Sequence, residues 1–175
     1  MAMVRAGTDR PREVERATGT RPAVRRIGSV AVGERGSTVG DEYAVRAIGW
    51  VESPLQERSL APKQGDEGGP DAWLVFDPAV ARALRDLVPG QDVLLLTWLD
   101  RADRTVLAVH PRSDRSRPET GVFATRSPDR PNPIGLHRVT VLAVDGLRVR
   151  VSDLEALDGT PLLDVKPVLG GREER

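Results

Sequence analysis

Between Arg126 and Gly135 the chain places two guanidinium groups (Arg126, Arg130), three prolines (Pro128, Pro131, Pro133) and one amide (Asn132) within ten residues. The full stretch, residues 121–136, reads G-V-F-A-T-R-S-P-D-R-P-N-P-I-G-L. Arginine offers a planar fork of donors suited to a carboxylate or phosphate. Asparagine offers both a donor and an acceptor, suited to an amino group on a heterocycle. Proline fixes φ, so this loop holds its polar groups in a set geometry. Stiff loops on a packed scaffold are where binding and catalysis concentrate. The competing reading has both arginines solvated and Asn132 capping a turn before Pro133; the proline density weighs against it.

Other candidates are less specific one by one. Asp158-Gly159-Thr160-Pro161 puts a carboxylate and a hydroxyl beside a glycine, fit to hold a ribose or an amine, or to make an ordinary turn. Pro62-Lys63-Gln64 lies in a polar loop, and Asp100-Arg101 follows an apolar run, where an exposed ion pair is the default. Lys166 either snorkels from a strand edge or faces a ligand. His110 closes a strand pattern. His137 alternates with Leu136, so one of the two points inward.

The elements that must position these residues are short. Strand patterns occupy residues 44–51, 72–76, 92–99, 105–110, 121–124, 135–144, 147–152 and 163–168. Asp145-Gly146 between two of them predicts a type I′ hairpin. Asp77 as N-cap and Pro78 at the first helical position, followed by Val80, Leu84 and Leu87, predict a helix over residues 78–88. Residues 55–71 form a long loop. Many strands, one or two short helices and no βαβ alternation predict a mostly β, compact single-domain barrel. No G-x-G-x-x-G follows a strand, which argues against a Rossmann site. Residues 1–44 read as flexible, with a weakly signalled strand around residues 23–32; the barrel is expected over residues 45–169 and a short tail over 170–175.

Composition narrows the classes. The chain has 175 residues, 26 basic and 26 acidic, so no global charge favours nucleic acid. It has no cysteine and two histidines, which removes thiolate chemistry and predicts no metal site. No apolar run approaches the roughly 18 residues of a membrane span, and a cytoplasmic, soluble protein is expected. Locally, residues 101–138 hold eight arginines against four acids, an excess that RNA backbone contact requires.

These motifs together resemble the TsaA-like (TrmO-type) family. The resemblance rests on residues 121–136 and on L-E-A-L-D-G-T-P-L-L-D-V-K-P at 154–167. I-G-W-V-E-S-P at 48–54, P-K-Q at 62–64 and W-L-D-R-A at 98–102 extend it, in the family's order, over residues 45–169. The resemblance implies a β-barrel methyltransferase that binds S-adenosylmethionine, works as a homodimer and methylates N6 of threonylcarbamoyladenosine 37 in tRNA. It implies cofactor contacts from Pro62, Lys63, Gln64, Asp100, Arg101, Arg126 and Leu136, and from Glu155, Ala156, Leu157, Asp158, Gly159 and Thr160. Asn132 is then the candidate for positioning the acceptor amine. Arg126 is the candidate for fixing the cofactor or an anionic group of the acceptor.

Departures bear on the acceptor. Lys166-Pro167-Val168 stands where the family often has Lys-Pro-Tyr, and Gln91-Asp92-Val93-Leu94 stands for an aromatic segment. Longer members carry a C-terminal extension linked to tRNA handling, which this sequence does not contain. A methyltransferase of a small molecule or peptide, and a non-catalytic S-adenosylmethionine-binding module, are the alternatives.

Overall fold

The computed structural model describes residues 43–170. The expected flexible segment and the strand at residues 23–32 lie, up to residue 42, outside the described residues, as does the tail from 171.

Alternation builds the fold. In β2 (Ala72–Phe76) every second residue is buried, and β3 (Asp92–Trp98) buries Val93, Leu95 and Thr97. β6 (Ile134–Asp145) buries Gly135, His137, Val139 and Val141. With β1 (Gly49–Glu52), β7 (Arg148–Val151) and β8 (Pro161–Pro167) these strands close into a six-stranded barrel in the order β1-β2-β7-β6-β3-β8. All pairings are antiparallel, and β8 returns to β1 through Gly49↔Leu162. Closure leaves no long unpaired edge. The interior is almost entirely Val, Leu and Ala, with Phe76 its one aromatic among the described residues. Each fully buried Val or Leu contributes roughly 1.5–3 kcal/mol. One end of the interior differs: Thr97, His137 and Thr160 are buried there beside Gly135. Next to Thr97 the β3–β8 register slips so that Leu163 has no partner. Such bulges re-aim side chains near functional sites.

Several elements differ from expectation. The strand expected over residues 44–51 pairs only from Gly49, because residues 44–47 have no neighbouring strand. The strand at residues 105–110 shrinks to β4 (Ala108–Val109), paired with β5 (Thr120–Gly121) in a separate two-stranded sheet. Residues Val122–Ala124 form a 3-10 turn, not a strand. The Val122 carbonyl accepts from Thr125 N–H, the Thr125 hydroxyl and Arg130, and these three donors curl the chain. Asp77 caps as expected, its carboxylate accepting from Ala79 N–H at 2.9 Å, but the helix is a 3-10 helix, Pro78–Leu84. Leu84 buries, and Val80 and Leu87 pack against the core.

The hairpin turn lies one residue later than expected. Asp145 pairs with Arg148, leaving Gly146 and Leu147 as the loop, and only Gly146 has positive φ (58°). That sign pattern belongs to type II′, with glycine first. A Cβ at Gly146 meets nothing within 4 Å, so the cost of Gly146→Ala is purely conformational. A loss of about 1 kcal/mol and a melting point lower by about 2–5 °C are expected by circular dichroism.

Candidate functional site

A cleft of about 650 Å³ opens at the polar end of the barrel. Its walls are residues 61–64, the segment after β3 (99–102), the turn after β4 (109–113), the proline-rich loop (124–130), the start of β6 (134–137) and residues 155–157 with Thr160. Segments far apart in sequence converge because β3, β6 and β8 are hydrogen-bonded neighbours.

The proline-rich loop divides its two arginines. Arg130 is tied inward: its guanidinium donates to the carbonyls of Ser127 (2.8 Å), Thr125 (2.7 Å) and Val122 (3.1 Å). It is part of the loop's internal framework. Arg126 is exposed on the cleft wall, with no hydrogen-bond or ion-pair partner among the described residues. Lys63 also lines the cleft; its backbone carbonyl accepts from Gln64 Nε2 at 2.7 Å, and its charge acts on the Glu67 carboxylate. An unpartnered guanidinium with a second cation on the same cleft is fit to take an anion.

Of the residues named from sequence, Pro62, Lys63, Gln64, Asp100, Arg101, Arg126, Leu136, Glu155, Ala156, Leu157 and Thr160 all line this cleft. Arg101 also braces it, donating to the carbonyls of Gln56 (2.9 Å) and Asp158 (3.3 Å). Asp158 and Gly159 are outside the lining; the Asp158 carboxylate accepts from Ser53 N–H at 3.1 Å, which makes it a turn anchor. Asn132 is exposed and outside the lining, and its backbone carbonyl accepts from Ile134 N–H at 2.8 Å. Of the His137–Leu136 pair, His137 points inward and Leu136 outward to the cleft rim.

Sequence reasoning missed two arrangements. Thr97 Oγ1 lies 2.9 Å from His137 Nε2, and His137 Nδ1 lies 2.8 Å from Glu155 Oε1. Period-two alternation from Leu95 to Thr97 was the available signal for the first contact. Arg58 and Asp129 also face the cleft as a bidentate pair, at 3.0 and 2.5 Å.

Residues 50–171 match the family described as the tRNA-methyltransferase O N-terminal domain, TrmO_N. The chain belongs to the TrmO N-terminal domain family. A probable S-adenosyl-L-methionine-binding protein of Methanothermobacter thermautotrophicus is 41% identical over 126 residues, covering 72% of this chain and 90% of that one. A probable S-adenosyl-L-methionine-binding protein of Archaeoglobus fulgidus is 45% identical over 123 residues, 70% of this chain and 33% of that one. A crystal structure of TrmO from Pseudomonas aeruginosa superposes with a TM-score of 0.58 at 28% identity, over 74% of this chain and 57% of the other. The chain thus spans a third of the Archaeoglobus relative and a little over half of this TrmO chain.

The TrmO_N match contains every cleft residue, including the Arg58–Asp129 pair. Hydrogen bonding from Arg58 holds the Asp129 carboxyl below its usual range, aided by the Asp103 N–H and the Arg58 charge. A lowered carboxyl stabilises the fold above the ordinary value of about 3.9, and the benefit is lost as pH falls through the lowered value. Arg58→Ala is therefore expected to move the acid-unfolding midpoint to higher pH. An unmoved midpoint in an acid titration followed by circular dichroism rejects that linkage. The effect is modest, because half of the Arg58 side chain is exposed. Among the described residues, no helix is long and apolar enough to cross a membrane.

Proposed function

We propose that this chain is an S-adenosylmethionine-dependent methyltransferase that modifies N6 of an adenosine in tRNA, threonylcarbamoyladenosine 37. The observation that carries the reading is the cleft: an unpartnered Arg126 together with Lys63 and Glu155, inside the span that matches TrmO_N. A volume near 650 Å³ suits a nucleoside with an amino-acid tail. The cations match a carboxylate, and Glu155 matches an N–H group. When bound, S-adenosylmethionine supplies a methyl group already activated on a sulfonium.

The chain's residues then have to align and orient rather than activate. Arg126 and Lys63 hold anionic groups of cofactor or acceptor. Asn132, stiffened by Pro131 and Pro133 and open to solvent, offers a side-chain oxygen to the acceptor amine. The proton that the acceptor amine gives up on methylation would pass to water at the open mouth of the cleft.

The arginine excess supports an RNA partner only in part. Arg112, Arg117 and Arg138 are ion-paired with Glu67, Asp114 and Asp92. Arg101, Arg104 and Arg130 donate to neutral carbonyls and keep their charge, and Arg115 and Arg126 have no partner among the described residues. Of these five, Arg115 and Arg126 alone have no partner among the described residues to give up before meeting a phosphate. The homodimer is carried over from the family resemblance, and the exposed apolar pair Leu107 and Phe123 fits a face covered by a second copy. Sedimentation as a monomer at working concentration opposes it.

The deciding experiment is incubation with labelled methyl donor and tRNA, with nucleoside mass spectrometry. Label on N6 of the modified adenosine is expected, with tRNA binding that weakens as salt rises. Asn132→Ala at saturating cofactor is expected to methylate more slowly than the wild type. Tight cofactor binding with no label in tRNA or in small-molecule extracts supports a binding module instead. The Methanothermobacter and Archaeoglobus relatives are named for binding S-adenosyl-L-methionine, which both readings require.

A further inference from the structure

Behind Glu155, whose carboxylate the reading above already uses, lies a buried pair that it does not: Thr97 and His137. His137 is 5% exposed and Thr97 0%, and both ring nitrogens of His137 are engaged. A carboxylate only accepts, so Nδ1–H donates to Glu155 Oε1; in the neutral ring Nε2 then accepts from the Thr97 hydroxyl. Glu155 sits on residues 154–160, which join β7 to β8 without a strand partner until Pro161. A long side chain on such a segment has many rotamers, and His137 selects one. In that rotamer Oε2 has no hydrogen-bond partner among the described residues; it stands 3.2 Å from where a Cβ on Gly65 would be, next to the cleft wall of residues 61–64, and Glu155 itself lines the cleft.

We propose that His137 is a positioning residue, buttressed by Thr97, that aims the free oxygen of Glu155 into the cleft to accept a hydrogen bond from an N–H of the bound ligand. This rests on the cofactor reading and adds to it a residue that acts through the Glu155 carboxylate. Ordering the carboxylate before binding removes the entropy cost of ordering it afterwards. The N–H belongs either to the adenine amino group or to the ammonium of the amino-acid end, and two ligands separate these sources.

The test is titration calorimetry of the full chain with S-adenosylmethionine and with 5′-methylthioadenosine, which keeps the adenine and lacks the amino acid. His137→Ala is expected to weaken S-adenosylmethionine about tenfold, the scale of one charge-assisted hydrogen bond. His137→Asn keeps an N–H near the Nδ1 position and is expected to recover most of the affinity. In a Glu155→Ala background, His137→Ala is expected to cost nothing further, since it acts only through that carboxylate. Weakening of both ligands places the N–H on adenine, and weakening of S-adenosylmethionine alone places it on the ammonium. If His137→Ala does not fold, Thr97→Val carries the test: it is expected to weaken binding severalfold, and unchanged affinity in it overturns the proposal. Wild-type binding with unchanged affinity in folded His137→Ala, or additive losses in the double variant, also overturns it. A wild type that binds neither ligand overturns the cofactor reading, and this proposal with it.

Discussion

Gly135→Ala is expected to be among the most damaging single substitutions in the barrel, although it adds one methyl group. Gly135 lies in β6 directly across from Thr97. A Cβ there would stand 2.3 Å from Thr97 Oγ1, 2.6 Å from His137 Nε2 and 3.2 Å from Leu99 Cδ2. Neither polar neighbour has room to retreat: Thr97 is fully buried in a central strand, and its β-branch restricts χ1. Displacing His137 also breaks its bond to Glu155. Overpacking costs roughly 1–3 kcal/mol, and a buried polar group left unpaired adds roughly 1–3 kcal/mol. A fall in melting temperature of roughly 10 °C or more is expected, well beyond that of Gly146→Ala. Ligand affinity should fall with it, through Glu155. A melting point within about 2 °C of the wild type, measured by calorimetry, means that the barrel end is soft enough to absorb the methyl, and the account of this site as rigid is wrong.

That glycine marks where sequence reading stops. Continuous apolar runs located β2 to the residue and β3 to within one, although such a run fits a strand buried on both faces and β3 fully buries only one. The Asp77-Pro78 start was legible because capping is local. The pairing of β8 with both β1 and β3, which closes the barrel, depends on contacts between residues far apart and leaves no local trace. The same holds for the arginines. Arg101, Arg104 and Arg130 donate to backbone carbonyls of Gln56, Asp158, Pro131, Ser127, Val122 and Thr125. A carbonyl is present at every residue, so nothing in the sequence marks these as partners. The cleft was more legible than the fold, since its walls are the stiff or glycine-bearing loops that packing alone does not require. Thr97 and His137 were obscured because a threonine and a histidine in a strand look like ordinary alternation.

The separation of Arg126 from Arg130 makes a second large effect predictable. Arg130 holds three carbonyls within its own loop, so Arg130→Ala is expected to loosen the loop and lower stability. Arg126 makes no such bond, so Arg126→Ala is expected to leave the melting temperature within about 1 °C, as for surface changes generally. Its ligand contact is another matter. A charge-assisted hydrogen bond to a carboxylate or phosphate is worth roughly 1.5–3 kcal/mol, or about ten- to a hundredfold in Kd. Titration with S-adenosylmethionine should show that loss if Arg126 holds the cofactor. If cofactor affinity is unchanged while methyl transfer to tRNA falls, Arg126 belongs to the acceptor. Arg126→Lys discriminates further: it keeps the charge and loses the planar fork. Recovery by lysine therefore means that the site reads charge alone, and failure to recover means that it reads the fork. The prolines predict the second result, since three fixed φ angles serve little purpose for a point charge but set the plane of a guanidinium. If Arg126→Ala leaves both affinity and transfer at wild-type values, the loop is stiff for a reason other than ligand geometry.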